Sequence, residues 1–93
     1  MRNEKQRELA FLFDRSAQIR MQLERSEKLL DEYEQIHLQK LRYGVPHGRR
    51  KLVEQYLEGG YEREIANYKN LILDQYRVKR RLNELTDGHR EFL

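Results

Sequence analysis

Few residues in this chain have the types and spacing that chemistry needs, and the clearest of them are bases. From Gln35 to Val53 there is no acid, while Lys40, Arg42, Arg49, Arg50 and Lys51 fall in that stretch with Tyr43 and His47 among them. Cationic groups gathered around a Gly/Pro turn suit phosphate or a carboxylate-rich protein surface. Lys40, Arg42, Tyr43, His47, Arg49, Arg50 and Lys51 are therefore the candidate partner- or anion-binding residues. Lys40 and Arg42 also have an explanation that needs no ligand, because cations at the end of a helix meet its macrodipole. A second basic group, Arg77, Lys79, Arg80 and Arg81, lies between Asp74 and Glu84. An acidic set flanks the first group on both sides: Glu24, Glu27, Asp31, Glu32 and Glu34 before it, Glu54, Glu58, Glu62 and Glu64 after it. That alternation opposes a duplex laid lengthwise along the molecule and leaves end-on contact open.

Catalytic chemistry has little to start from. Glu34-Gln35-Ile36-His37 has the Glu-x-x-His spacing used by carboxylate-bridged di-metal bundles, but such a site needs a second inward Glu, and Leu57 is the residue expected opposite His37. His37 reads better as a packed or hydrogen-bonded seam residue. His47 and His89 fall in a turn and a tail, no Ser or Cys nucleophile arrangement is suggested, and no glycine-rich phosphate loop is present. The expectation is a chain with no catalytic residues, no metal or cofactor and no small-molecule substrate.

The elements that must position these groups follow from apolar spacing. In the first half Leu9, Leu12, Ile19, Leu23, Leu30, Tyr33, His37 and Leu41 recur at intervals built from threes and fours, with Ser16 and Ser26 completing the stripe. Asn3 and Gln6 form a plausible capping box, and Tyr43-Gly44-Val45-Pro46 is a stop signal, so the first helix is expected over about 3–43 and a turn over 44–48. The second helix, about 49–87, carries Val53, Leu57, Tyr61, Ile65, Tyr68, Ile72, Tyr76, Lys79, Leu82 and Leu85, and a tail follows over 88–93. Gly59-Gly60 disfavours helix at about 1 kcal/mol per glycine relative to Ala. Because the apolar phase runs through the pair, the reading is a kink within one helix, with a three-helix chain broken at 59–60 as the alternative.

Together these predict an all-α fold: an antiparallel helical hairpin of two long helices forming a single domain over 1–93. In the register centred on the turn, Leu9 faces Leu85, Leu12 faces Leu82, Leu23 faces Ile72, Leu30 faces Ile65, Tyr33 faces Tyr61, His37 faces Leu57 and Leu41 faces Val53. Small Ser26 would then face Tyr68. Phe13, Leu29, Ile36, Leu38, Tyr56, Leu71, Leu73 and Val78 are left beside or off this stripe and need a second partner. The simplest closure is a homodimer forming a four-helix bundle or coiled coil. The dimer and core residues are expected to be Leu12, Phe13, Ile19, Leu23, Leu30, Ile36, Ile65, Ile72 and Leu82. A 93-residue domain gains from such association, since its own core is small.

Composition bounds the rest. Charged residues and hydrophobic residues each make up 38% of the chain, there is a single Pro and no Cys, and the net charge is +3. Long salt-laced helices fit this balance, a disulfide framework does not, and a cytoplasmic location is the expectation. No signal-peptide pattern or membrane-length apolar run is visible. Of the six tyrosines, Tyr33, Tyr61, Tyr68 and Tyr76 sit at core spacing, so base stacking is the less natural role for them. Tyr43 and Tyr56, nearest the basic turn, are better placed for a partner.

One local pattern points elsewhere. Tyr56-Leu57-Glu58-Gly59-Gly60-Tyr61, then Glu64-Ile65-Ala66, then Val78-Lys79-Arg80-Arg81-Leu82 resembles the helix-turn-helix of sigma-factor-type and bacteriophage transcription regulators. The resemblance spans about 52–82 and implies that Arg77, Lys79, Arg80 and Arg81 contact DNA in the major groove. Between Ala66 and Val78 the sequence departs from the pattern, with no Gly for the turn and no Ser or Thr to cap a recognition helix. Three functions stand on this footing. The first is a non-enzymatic interaction protein, an adaptor or inhibitor of the small regulatory kind that bacteriophages and mobile elements encode, working through a protein partner. The second is a DNA-binding regulator, and the third a helical assembly component.

Overall fold

The computed structural model describes residues 4–44 and 48–86, and among these every regular element is helical. Helix α1 spans Glu4–Tyr43, α2 Arg50–Leu57 and α3 Gly60–Leu85. The Asn3 cap, the Pro46 turn residue, His47 and the Asp87-Gly88 stop fall outside the described residues.

The length of α1 follows from what it lacks. Its 40 residues include no Gly and no Pro, and only Ile19 and Ile36 are β-branched. It stops at Gly44, whose φ of 85° is the left-handed conformation that glycine adopts freely and whose N–H donates to the Lys40 carbonyl at 3.1 Å. Lys40 and Arg42 in the last turn complement the helix dipole.

The second half of the chain is not one kinked helix. It breaks after α2, at Glu58-Gly59, because Gly59 takes φ 86° and turns the backbone out of the helical path. The exit is satisfied locally: Glu58 N–H donates to the Glu54 carbonyl, Gly59 N–H to the Tyr56 carbonyl, and the Arg63 guanidinium to the Glu58 carbonyl at 2.8 Å. Gly60 serves a different purpose. A Cβ at this position would lie 2.6 Å from the Gln55 carbonyl oxygen and 2.8 Å from the Tyr33 hydroxyl, so only glycine lets α3 start this close to α1 and α2.

The described residues fall into two compact groups, one drawn from within Met1–Leu23 and Asn70–Leu93 and the other from within Glu24–Lys69, to which α1 and α3 both contribute. In the first, Leu12, Ser16, Ile19 and Leu23 of α1 and Leu71, Val78 and Leu82 of α3 are buried. Ion pairs join Glu8 to Arg81 and Arg15 to Asp74. Within this group, position numbers therefore rise along α1 as they fall along α3. In the second group Tyr33, Ile36 and Val53 form the core, with Leu29, Leu52, Tyr56 and Tyr61 packed against it. The Tyr33, Tyr56 and Tyr61 rings meet at centroid separations of 6.2–6.4 Å, tilted, as aromatic quadrupoles prefer. Ser26 donates to Glu64 at 2.5 Å, and Tyr68 donates to Glu27 at 3.0 Å.

Several facing pairs differ from the sequence-derived register. Tyr33 does meet Tyr61. Ser26, however, meets Glu64 rather than Tyr68, and His37 meets Tyr56 rather than Leu57. Leu41, Leu57, Ile72 and Tyr76 are exposed, while Ile36, Leu71 and Val78, expected beside the stripe, are buried. The cause lies in α3: its inward positions are Tyr68, Leu71, Gln75, Val78, Leu82 and Leu85, a regular alternation of threes and fours that includes a half-buried glutamine. A reading that prizes apolar side chains steps instead from Tyr68 to Ile72 and Tyr76, one residue out of phase. Of the expected dimer and core set, Leu12, Ile19, Leu23, Ile36 and Leu82 are buried, Leu30 and Ile65 half-buried, and Phe13 and Ile72 exposed.

Candidate functional site

The first basic group is assembled by the end of α1 and the start of α2. Gly44 ends α1, Gly48 and Arg49 precede α2, and Arg49 itself takes φ 51°, ψ 48°, a left-handed conformation uncommon outside glycine. Its carbonyl accepts the first helical hydrogen bond of α2, from Val53 N–H at 3.0 Å, and its side chain makes no capping bond. Lys40, Arg42, Tyr43, Arg49, Arg50 and Lys51 are all exposed. Arg50 pairs with Glu54 at 3.3 Å, and the Lys40 ammonium sits 6.0 Å from the centre of the Tyr56 ring, a cation–π distance. Among the described residues Arg42, Arg49 and Lys51 make no ion pair. His47 lies outside the described residues.

Arg77, Lys79, Arg80 and Arg81 have different surroundings. Arg81 forms a two-pronged contact with Glu8, at 2.7 and 3.0 Å, and a further bond to Glu84 at 3.2 Å. Arg80 pairs with Glu84 at 3.8 Å and Arg77 with Asp74 at 3.4 Å. These bonds leave a titration signature: hydrogen bonding from Arg81 lowers the Glu8 carboxyl below its ordinary value, and Glu8 raises the Arg81 guanidinium in turn. Three of these four bases are thus matched by acids of the same chain. The Glu64-Ile65-Ala66 and Val78–Leu82 segments of the helix-turn-helix resemblance both lie on α3, which is unbroken between Ala66 and Val78. The turn that such a motif places between its two helices is not formed there.

His37 is exposed, and its Nδ1 shares a 2.5 Å hydrogen bond with the Tyr56 hydroxyl. Among the described residues no group of three His, Asp or Glu side chains could hold a metal ion. Two tyrosines carry raised pKa values. At Tyr33 burial is the main cause, with the Glu64 charge adding to it; at Tyr68 the main cause is the hydrogen bond to Glu27. Sequence reasoning missed Gln35 and Gln39, which with Ile36, Val53, Gly48 and Arg49 line an open groove of about 310 Å³ beside the basic residues. Their i,i+4 spacing in a stretch free of acids was the available signal. Among the described residues no helix is long and apolar enough to cross a membrane. No protein-family model matches the chain, and neither a curated protein nor a solved structure shows significant similarity to it.

Proposed function

We propose that the chain is a non-enzymatic helical interaction protein whose helices fold back as an antiparallel hairpin and whose apolar outer face joins a second copy in a four-helix bundle. The observation that carries this reading is on α3. Ile72 and Tyr76, one turn apart on the same side of the helix, are 42% and 62% exposed. The register that pairs Glu8 with Arg81 and Arg15 with Asp74 sets Phe13, also exposed, across from Tyr76. Large apolar side chains grouped in this way mark association surfaces more often than chance display. A two-fold dimer accounts for them economically, because each chain offers the same patch to the other.

Sedimentation equilibrium across a wide concentration range tests the reading. A monomer–dimer equilibrium is expected. Ile72→Glu and Tyr76→Glu should each raise the dimer dissociation constant roughly 100-fold, with helical circular dichroism unchanged, as expected for central interface residues. A monomer at every concentration would sink the dimer, and growth past the dimer would favour an assembly component.

A further inference from the structure

The two basic groups of this chain differ in how many of their members an acid of the same chain holds, and the difference points to a second surface. In the 77–81 group, Arg77, Arg80 and Arg81 are each bound to an acid of the same chain. In the group at the end of α1 and the start of α2, Arg42, Arg49 and Lys51 have no acid partner among the described residues. Of the acids nearest in sequence, Glu54 is already taken by Arg50, and Glu34 makes no ion pair among the described residues. Positive charge that costs self-repulsion and is left unmatched is available to an external anion.

Charge alone does not choose the partner, but the neighbouring groups do. Tyr43 is 79% exposed, adjacent to Arg42 in sequence, and nothing in its own unit covers the ring. Arg42 and Tyr43, with Leu38 and Gln39, line an open groove of about 320 Å³. On its other side Gln39 joins Gln35, Ile36 and Arg49 around the 310 Å³ groove. An exposed aromatic ring, carboxamides able both to donate and to accept, and apolar floor between unpaired cations is the combination that a single nucleic-acid strand uses. Its phosphates take the cations, its bases stack on the ring, and their edges meet the amides. A duplex keeps its bases stacked on each other and could use only the cations, and an acidic protein surface would draw chiefly on the same cations.

We infer that the surface where α1 ends and α2 begins binds single-stranded nucleic acid, with Arg42, Arg49 and Lys51 on phosphates and Tyr43 stacking on a base. These residues all belong to the Glu24–Lys69 unit and include neither Ile72 nor Tyr76, so the inference is tested by substitutions of its own. The test is fluorescence anisotropy of labelled mixed-sequence single-stranded DNA and RNA, titrated with the intact protein beside a duplex of the same sequence. Three phosphate contacts give roughly 20-fold weaker binding between about 50 and about 200 mM salt. R42Q/R49Q/K51Q should abolish most of that salt dependence. Tyr43→Ala, which keeps every charge, should weaken the single strand roughly 5-fold or more and leave the duplex unaffected. K79Q/R80Q should change nothing. The inference is overturned by absence of binding at the lower salt, by duplex binding as tight as that of the single strand and indifferent to Tyr43→Ala, or by a loss confined to K79Q/R80Q. Displacement of the strand by polyglutamate at equal charge concentration would also overturn it, by marking an acidic protein as the partner.

Discussion

At the scale of single residues, the Glu8–Arg81 contact is the one whose chemistry reports most directly on the fold. The carboxylate is held below the ordinary value of 4.5 by the Arg81 hydrogen bonds, so the folded state binds its proton less readily than the unfolded state does. The sign follows: the stabilisation is present above pH 4.5 and is lost as pH falls through the depressed folded value. Thermal unfolding of the wild type and of Glu8→Gln, followed between neutral and strongly acid pH, should show the wild type more stable at neutral pH. The gap should close in acid and stay constant above about pH 5. A gap that persisted unchanged at the lowest pH would remove the ion pair as its cause. Neither partner could be matched to the other from the sequence, since 73 positions separate them and both have oppositely charged residues closer by. The basic residues around Gly44 and Gly48 were legible because their clustering is local: a run without acids and a pair of helix ends are both visible in a short window. That Arg42, Arg49 and Lys51 find no acid among the described residues while Arg81 does is a fact of three dimensions.

At the scale of elements, composition dictated helix throughout, and the end of α1 at Tyr43 is written in Gly44. What spacing could not dictate was phase. Threes and fours chain together in more than one way, and the inward row of α3 admits Gln75 where a hydrophobic count would have chosen Ile72 or Tyr76. Leu71 and Leu73 make a clean test of the phase, being the same side chain two positions apart with 7% and 51% exposure. Leu71→Ala should cost about 2–4 kcal/mol in urea unfolding and Leu73→Ala under about 1 kcal/mol. Equal losses would mean that the inward row is misplaced. The break after α2 was likewise half legible. Gly59-Gly60 announced weakness, but only the structure separates the two roles: Gly59 supplies a left-handed turn, and Gly60 leaves room for the Tyr33 hydroxyl and the Gln55 carbonyl.

At the scale of the whole molecule, a net charge of +3 understates how unevenly charge is used. Acids of the same chain hold Arg77, Arg80 and Arg81 of α3, whereas Arg42, Arg49 and Lys51, where α1 ends and α2 begins, have no acid partner among the described residues. The same ends govern how the chain can be divided. The boundaries of the two compact units fall inside helices, between Leu23 and Glu24 of α1 and between Lys69 and Asn70 of α3. The described residues outside helix are Gly44, Gly48 with Arg49, Glu58 with Gly59, and Thr86. Trypsin acting on the native protein is therefore expected to cut first at Arg49, where the backbone is exposed and outside a helix. That cut yields neither unit: one piece carries α1, the other α2 and α3, and each unit still needs both. The chain is in this sense a natural split protein. Its two pieces should co-elute on size exclusion after the backbone is severed, and should restore helical signal when mixed from separate preparations.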